Sequence, residues 1–531
     1  MASEITPDDL TTLFAGGKPL GLLDVREHGE YNTAHIAGSS SLPRRAIEGG
    51  AQRLVPFAGT TLVVCDDDGR RAKLAATTLE RIGFTDVRVL GGGLNRWTSE
   101  GFATEWGVNV QSKDFGERLL ETEHVPEVSA PELHAWMNRG DDIVLLDTRT
   151  PEEHSAATIP GSRSMPGAEL ALRFGELAIG PNTHVVVHCA GRTRSIVGTK
   201  TLQLMGLPQT VALKNGTMGW MMAGYALEHG SQRTGLPEPG ARAEREAAER
   251  AEALAMGAGV RFLDMPGLDE IMASGGSRNV YLVDVRTREE FEAGHVPGFR
   301  WFAGGQAVQR ADEMMAVRAG EVVFCCDGMT RAAMTAGWFR RMGYPNVYAV
   351  VGGAHAWADA GRGLVTGADE TAPWGYDEAL AAVVVVSRMA LMRQLASSTL
   401  KTIFVGASPQ FARSHIPGAS WVPRGWLEDR IASVACLTEA VAVTCVDGVQ
   451  STLAAATLRA MGYEDVRVLS GGMQEWSAAG LPVEQGLAGV MSPPHDVVLS
   501  GTERTWAEMM QYLAWEEELG RKYRSEPPRA V

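Results

Sequence analysis

A chain of 531 residues spans roughly three to five ordinary domains. Its formal net charge of -15 sets a broadly acidic surface against nucleic acid or an anionic membrane as main partner, while a small anionic ligand, which feels the field of one loop, stays open. The six cysteines, at 65, 189, 325, 326, 436 and 445, show no C-x-x-C spacing and are too few for a disulfide framework, so no metal site is implied and a reducing cytoplasm is expected.

The opening MASEITPDDL has neither the basic nor the apolar region of a secretory signal. In chain order, an apolar run, GLLDVR, then reaches Asp24, a second, TLVVCD, reaches Asp66, a helix is predicted from Arg71 to Ile82, and a third run, VRVL, enters the turn GGGLNRW. The series recurs as IVLLDTR, HVVVHC, a predicted helix from Ser195 to Met205, TVAL and NGTMGW, and again as YLVDVR, EVVFCC, NVYAV and GGAHAW. Its last copy holds VAVTC, VRVL and GGMQEW. The longest apolar run, Ala379 to Val386, is too short to span a bilayer.

The copies share one spacing. Asp24 is followed after 11 residues by His35, after 31 more by Asp66 and after another 31 by Trp97. The same intervals join Asp147, Thr158, Cys189 and Trp220, and Asp284, His295, Cys326 and Trp357; Phe404, His415, Cys445 and Trp476 are one residue short between their second and third marks. Repeats of this length are tandem domains, not solenoid units. Val- and Leu-rich runs alternating with helices predict an α/β fold in which a mainly parallel central sheet is flanked by helices.

The expected domains are 1–110, 127–235, 258–372 and 373–490, followed by a helical tail over 491–531. Residues Gln111 to Glu127 read as a joint, and ARAEREAAERAEALAM within Pro237 to Met256 as a solvated helical connector. The tail helix, about Thr502 to Tyr523, carries Trp506, Tyr512 and Trp515 and is expected to dock on a neighbouring domain.

At the third mark of repeat two, HCAGRTRSIVG ends a strand, forms a loop and begins a helix. Loop amides and the helix N-terminus are expected to converge on Cys189 and, with Arg192 and Arg194, to lower its pKa toward the attacking thiolate. Ala190, Gly191, Arg192, Thr193 and Arg194 then form the substrate-binding loop.

The chain resembles the rhodanese-like family of sulfurtransferases, over nearly all of its length outside linkers and tail. The resemblance rests on Asp-x-Arg (Asp24/Arg26, Asp147/Arg149, Asp284/Arg286), the His-Ile/Val-x-Gly turns (His35–Gly38, His295–Gly298, His415–Gly418), the Cys loop and Gly-x-x-x-Trp, all in shared order. It implies four tandem rhodanese-like domains and a double displacement through a Cys189 persulfide, with thiosulfate or a related donor, a thiol or cyanide as acceptor, and no organic cofactor. Mercaptopyruvate, glutathione persulfide and a protein persulfide stay open as donors.

The other loops differ. Asp66 in CDDDGRR forms no persulfide, so domain one is expected to be inactive; Cys65 to Arg71 has the C-x5-R spacing of cysteine-dependent phosphatases, against an acidic loop. Repeat three, CCDGMTR, offers Cys326 as a catalytic cysteine, preferred because Cys325 then aligns with His188; spacing alone does not decide, and the site is either a second active site or a weakened one. Cys445 in CVDGVQS lacks a basic loop residue and is a relic or a site for an uncharged donor. The Asp-x-Arg pairs, the histidines and the tryptophans are expected to be structural. Rival functions are a non-catalytic binding array or persulfide carrier, and a phosphatase.

Overall fold

The computed structural model describes residues 2–369, 371–397, 400–490 and 494–524; parts of the expected tail, 491–493 and 525–531, lie outside them. It contains four five-stranded sheets of one order, in which the first strand of a repeat neighbours the fifth, then the fourth, second and third. In repeat two these are Glu127–Val128, Val211–Leu213, His184–His188, Ile143–Asp147 and Arg163–Ser164, and all pairings are parallel. The central strand of each sheet, Thr61–Cys65, His184–His188, Glu321–Cys325 or Val441–Thr444, ends beside the third mark. Both faces are covered, which is why these strands read as unbroken apolar runs. The first and third strands of each repeat escape the sequence reading because they are short, Arg163–Ser164 and its equivalents having two residues and the first strands two or three; in the last repeat Lys401–Phe404 escapes as well.

The chain folds into two compact units, Met1–Val108 with Glu370–Val498, and Asn109–Asp369 with Leu499–Val531. Repeat one therefore packs with repeat four, and repeat two with repeat three. In the first unit the contact is reciprocal: Arg44 reaches Glu428 at 2.6 and 2.7 Å, and Arg424 pairs with Glu48. The positions matching Arg44 and Arg424 are Gly167 and Gly304 in the second unit, where backbones meet directly. A Cβ on Gly305 would stand 3.0 Å from Gly167 Cα, and one on Gly304 2.8 Å from Ala168 Cβ.

The Asp-x-Arg elements are buried staples. Arg149 Nη2 donates to Asp147 at 2.7 Å and to the Ala157 carbonyl at 2.6 Å, tying a strand end to the turn after the next helix; Arg26 and Arg286 repeat the arrangement. His35, His295 and His415 bond locally, each through Nδ1 to the carbonyl four residues earlier. Thr158 instead donates to Asp147 at 2.9 Å. The fourth-mark tryptophans, Trp97, Trp220, Trp357 and Trp476, are buried, and each indole donates to the carbonyl six residues on, at 2.8–3.0 Å.

Two expectations need correction. The joint at 111–127 is the packed helix Val110–Thr122, with Phe115 and Leu119 in the core of the second unit. The connector helix Ala241–Gly257 buries Ala247, Ala251 and Ala255 in the same core; alanines at four-residue spacing form a flat stripe that packs closely, while Glu and Arg cover the outer face. No helix among the described residues is long and apolar enough to cross a membrane.

Gly305→Val forces apart the glycine contact between repeats two and three. We expect a loss of about 1–3 kcal/mol, seen as a lower chemical-denaturation midpoint of the second unit.

Candidate active site

Each third-mark loop is built on a glycine. Gly216 has φ +53°, and a Cβ there would fall 2.2 Å from the Cys189 carbonyl oxygen. Its absence lets Thr217 N–H donate to that oxygen at 2.9 Å and Met218 N–H to Ala190 O at 3.1 Å. Gly93, Gly353 and Gly472 make the same approach to Asp66, Cys326 and Cys445. The glycine is thus demanded twice, by its left-handed backbone and by the close carbonyl.

The frame fixes which residue occupies each loop. Cys325 pairs across the sheet with Asp284 just as His188 pairs with Asp147, and Ala354 N–H donates to Cys326 O. Cys326 therefore takes the Cys189 position, while Cys325 belongs to the core. Cys65 likewise ends its strand in the core, leaving Asp66 at the loop and removing the C-x5-R phosphatase frame.

The loops hold their occupant differently. Asp66 accepts from the amides of Gly69, Arg71 and Ala72 at 2.5, 2.7 and 3.1 Å, so its carboxylate fills the anion cradle. Cys445 Sγ accepts from Gly448 N–H at 3.1 Å and Ser451 N–H at 3.3 Å. In both loops the third residue after the mark is a glycine, with φ +93° or +96°. In repeat two this position is Arg192, at φ -122°, and Cys189 is met by Ser195, whose Oγ lies 3.6 Å from Sγ, as Ser451 Oγ lies 3.3 Å from Cys445 Sγ. The expected convergence of loop amides is therefore fuller at Asp66 and Cys445 than at Cys189.

Cys189 is 2% exposed. Burial pushes its thiol up, against the opposing pull of Arg194 and Ser195. This corrects the expected lowering: desolvation of a thiolate outweighs one guanidinium that already serves a carboxylate. Arg194 binds Glu153 at 2.7 and 2.9 Å. Arg192 forks onto Glu117 at 2.6 and 3.0 Å and reaches Asn215 at 3.0 Å.

At Cys326 the balance is more adverse. Arg331 faces Glu169, Glu290 and Asp327 at 2.6–3.1 Å, and burial with Asp327 pushes the thiol up to about 12. The Arg–Glu pairing recurs as Arg71–Glu30, Arg194–Glu153 and Arg331–Glu290; repeat four has Gln450 and Gln410 at these positions. The glutamates were missed, although each stands six residues after the first mark.

The helix Trp506–Arg521 covers the Cys189 loop. Ala190 lies against Gly501, Gly191 against Tyr512 and Glu516, and Thr193 Oγ1 donates to Glu516 at 3.4 Å. Met509 and Leu513 cluster with Met218. Tyr512 thus docks as expected and Trp515 ring lies 5.1 Å from Lys113 Nζ, but Trp506 is 51% exposed. Nothing in the sequence spacing tied this segment to repeat two.

Four parallel α/β domains, each presenting a loop at the carboxyl end of its central strand, define the class. The rhodanese-like domain family matches residues 6–100, 129–223, 267–360 and 396–479, and the chain belongs to that family. It is similar to the crystal structure of thiosulfate sulfurtransferase from Pseudomonas aeruginosa, with 36% identity and a TM-score of 0.90, covering 100% of this chain and 99% of that one. A sulfurtransferase of Allochromatium vinosum is 27% identical over 103 residues, 19% of this chain and 94% of that protein. The Mycobacterium tuberculosis protein described as "Probable adenylyltransferase/sulfurtransferase MoeZ" is 31% identical over 99 residues, 18% of this chain. That match spans a quarter, 25%, of the MoeZ length.

Replacing Glu153 and Arg194 together by glutamine reproduces the neutral pair of repeat four. With the cation gone, we expect the pH midpoint of Cys189 alkylation to rise in the double variant, measured by peptide mass spectrometry across a pH series.

Proposed function

We propose that the protein is a sulfurtransferase that carries a sulfane sulfur on Cys189, taken from thiosulfate or a related donor and passed to a thiol, or to cyanide in an assay. Family membership and the full-length likeness to a thiosulfate sulfurtransferase support the class. The observation that carries the residue assignment is the Cys189 loop: a thiol at the end of the central strand, beside the start of the helix Thr193–Leu204, with Arg194 as the main influence favouring its thiolate.

Cys189 first loses its proton. The thiolate attacks the outer sulfur of the donor, a new S–S bond forms, the donor S–S bond breaks, and sulfite leaves with the electron pair. The persulfide anion remains. An acceptor thiolate then attacks the outer sulfur, and the Cys189 thiolate departs. Because Arg192 and Arg194 each serve a glutamate, their contribution is the local field and loop shape rather than an empty anion clamp. Ala190, Gly191 and Thr193 line the entrance.

Domain one is inactive on this reading, since Asp66 both lacks sulfur chemistry and occupies its own cradle. Cys326 is a weaker second site because of its three carboxylates. The six free cysteines suit a reducing compartment such as the cytoplasm.

After thiosulfate treatment, intact mass should show one added sulfur, mapped mainly to the Cys189 peptide, retained in Cys326→Ser and strongly reduced in Cys189→Ser, with the remainder on the Cys326 peptide. An undiminished adduct in Cys189→Ser, or none in the wild type with any of the named donors, overturns the assignment. Sulfur loading without turnover to thiocyanate marks the carrier role instead.

A further inference from the structure

The helix Trp506–Arg521 brings a carboxyl group to the mouth of the Cys189 loop. Glu516 is buried, and its Oε1 accepts from Tyr512 Oη at 2.9 Å and from Thr193 Oγ1 at 3.4 Å. Its Oε2 has no hydrogen-bond partner and stands 3.0 Å from where a Cβ on Gly191 would lie. A buried polar atom without a partner is costly, and this one points at the loop that receives the donor. With Oε1 accepting both protein hydrogen bonds, an acid proton has its natural place on Oε2.

We propose that Glu516 is a specificity-determining residue of the Cys189 site: un-ionised, it donates a hydrogen bond to an anionic sulfur donor, and as a carboxylate it repels one. The inference rests on the reading of Cys189 as the reactive thiol. Burial raises the Glu516 carboxyl, against Lys113, the Tyr512 hydrogen bond, Arg192 and Arg504.

The surroundings also titrate. From the helix Val110–Thr122, Lys113 is lowered to about 8 by burial, and Glu117 is raised to about 7 by burial despite Arg192. Cys189 and Arg192 face Glu516 from the loop, Tyr512 lies on its own helix, and Arg504 precedes that helix, 3.8 Å above the Tyr512 ring. Glu517 on the same helix approaches Arg192 at 3.6 Å. Any test must separate Glu516 from Lys113 and Glu117.

The full chain is alkylated with iodoacetate, an anion, and with neutral iodoacetamide, and the Cys189 peptide is quantified. Dividing the two rates removes thiolate formation, which both reagents share. In the wild type we expect the iodoacetate to iodoacetamide ratio, followed across a pH series, to fall about tenfold as Glu516 ionises and a like charge appears beside the thiol. In Glu516→Gln, which retains a donor and cannot ionise, the ratio should stay flat within about twofold. Tyr512→Phe removes a hydrogen bond that favours the carboxylate, so the fall should move to higher pH.

An equal fall in wild type and Glu516→Gln assigns the effect to Lys113 or Glu117 and overturns the proposal, as does an unmoved fall in Tyr512→Phe or a Cys189 closed to both reagents. If the ratios behave as expected while no donor loads sulfur, the sulfurtransferase reading fails and the gate at Glu516 stands.

Discussion

The close approach of a left-handed glycine to the carbonyl of the third-mark residue is the contact on which the rest depends. It brings the turn after the fifth strand against the loop after the fourth, fixing where the next helix starts and where the tryptophan enters the core. In every repeat 27 residues separate the third mark from this glycine, and no other side chain fits a gap of 2.1–2.5 Å between a Cβ and the carbonyl oxygen. The constant interval between the third mark and the tryptophan follows from that fit, whatever residue stands at the mark.

Within this fixed frame, charge and burial oppose each other. A loop deep enough to hold a sulfur atom away from water also makes its thiolate costly. Repeats two and three add an arginine, but each guanidinium brings acidic partners. Repeat four dispenses with both charges and relies on amides; repeat one fills the loop with its own carboxylate. The four loops are four settlements of one electrostatic conflict, and only Cys189 combines a thiol, a single carboxylate on Arg194, and a separate element closing the entrance.

Much of this was legible in the sequence. Strand ends, loop positions, the staple role of Asp147 and Arg149 and the packed tryptophans follow from local pattern and spacing. The two-residue strands were not, because so short a stretch has no periodicity. The pairing of repeats was visible but easily passed over: Arg44 and Glu48 recur as Arg424 and Glu428, whereas repeats two and three carry the uncharged Gly167 and Ala171, and Gly304 and Val308, there. The reach of Glu516 to Gly191 was not visible at all, since a contact between distant segments leaves no spacing signal. The thiol pKa was misjudged for a related reason: Arg192 and Arg194 are plain in the sequence, but the glutamates that engage them, Glu117 and Glu153, lie 75 and 41 residues away.

The covering of repeat two by a segment that follows repeat four has a consequence for synthesis. Glu516 leaves the ribosome 327 residues after Cys189, on the order of tens of seconds at about 5–20 residues per second. Throughout that interval the Cys189 loop lacks the helix Trp506–Arg521 that covers it. Repeat one waits longer still for repeat four, Asp24 and Phe404 being 380 residues apart, while repeats two and three can join as soon as both have emerged. The order of translation therefore makes both repeats of the inserted pair first and the segment that covers the Cys189 loop afterwards.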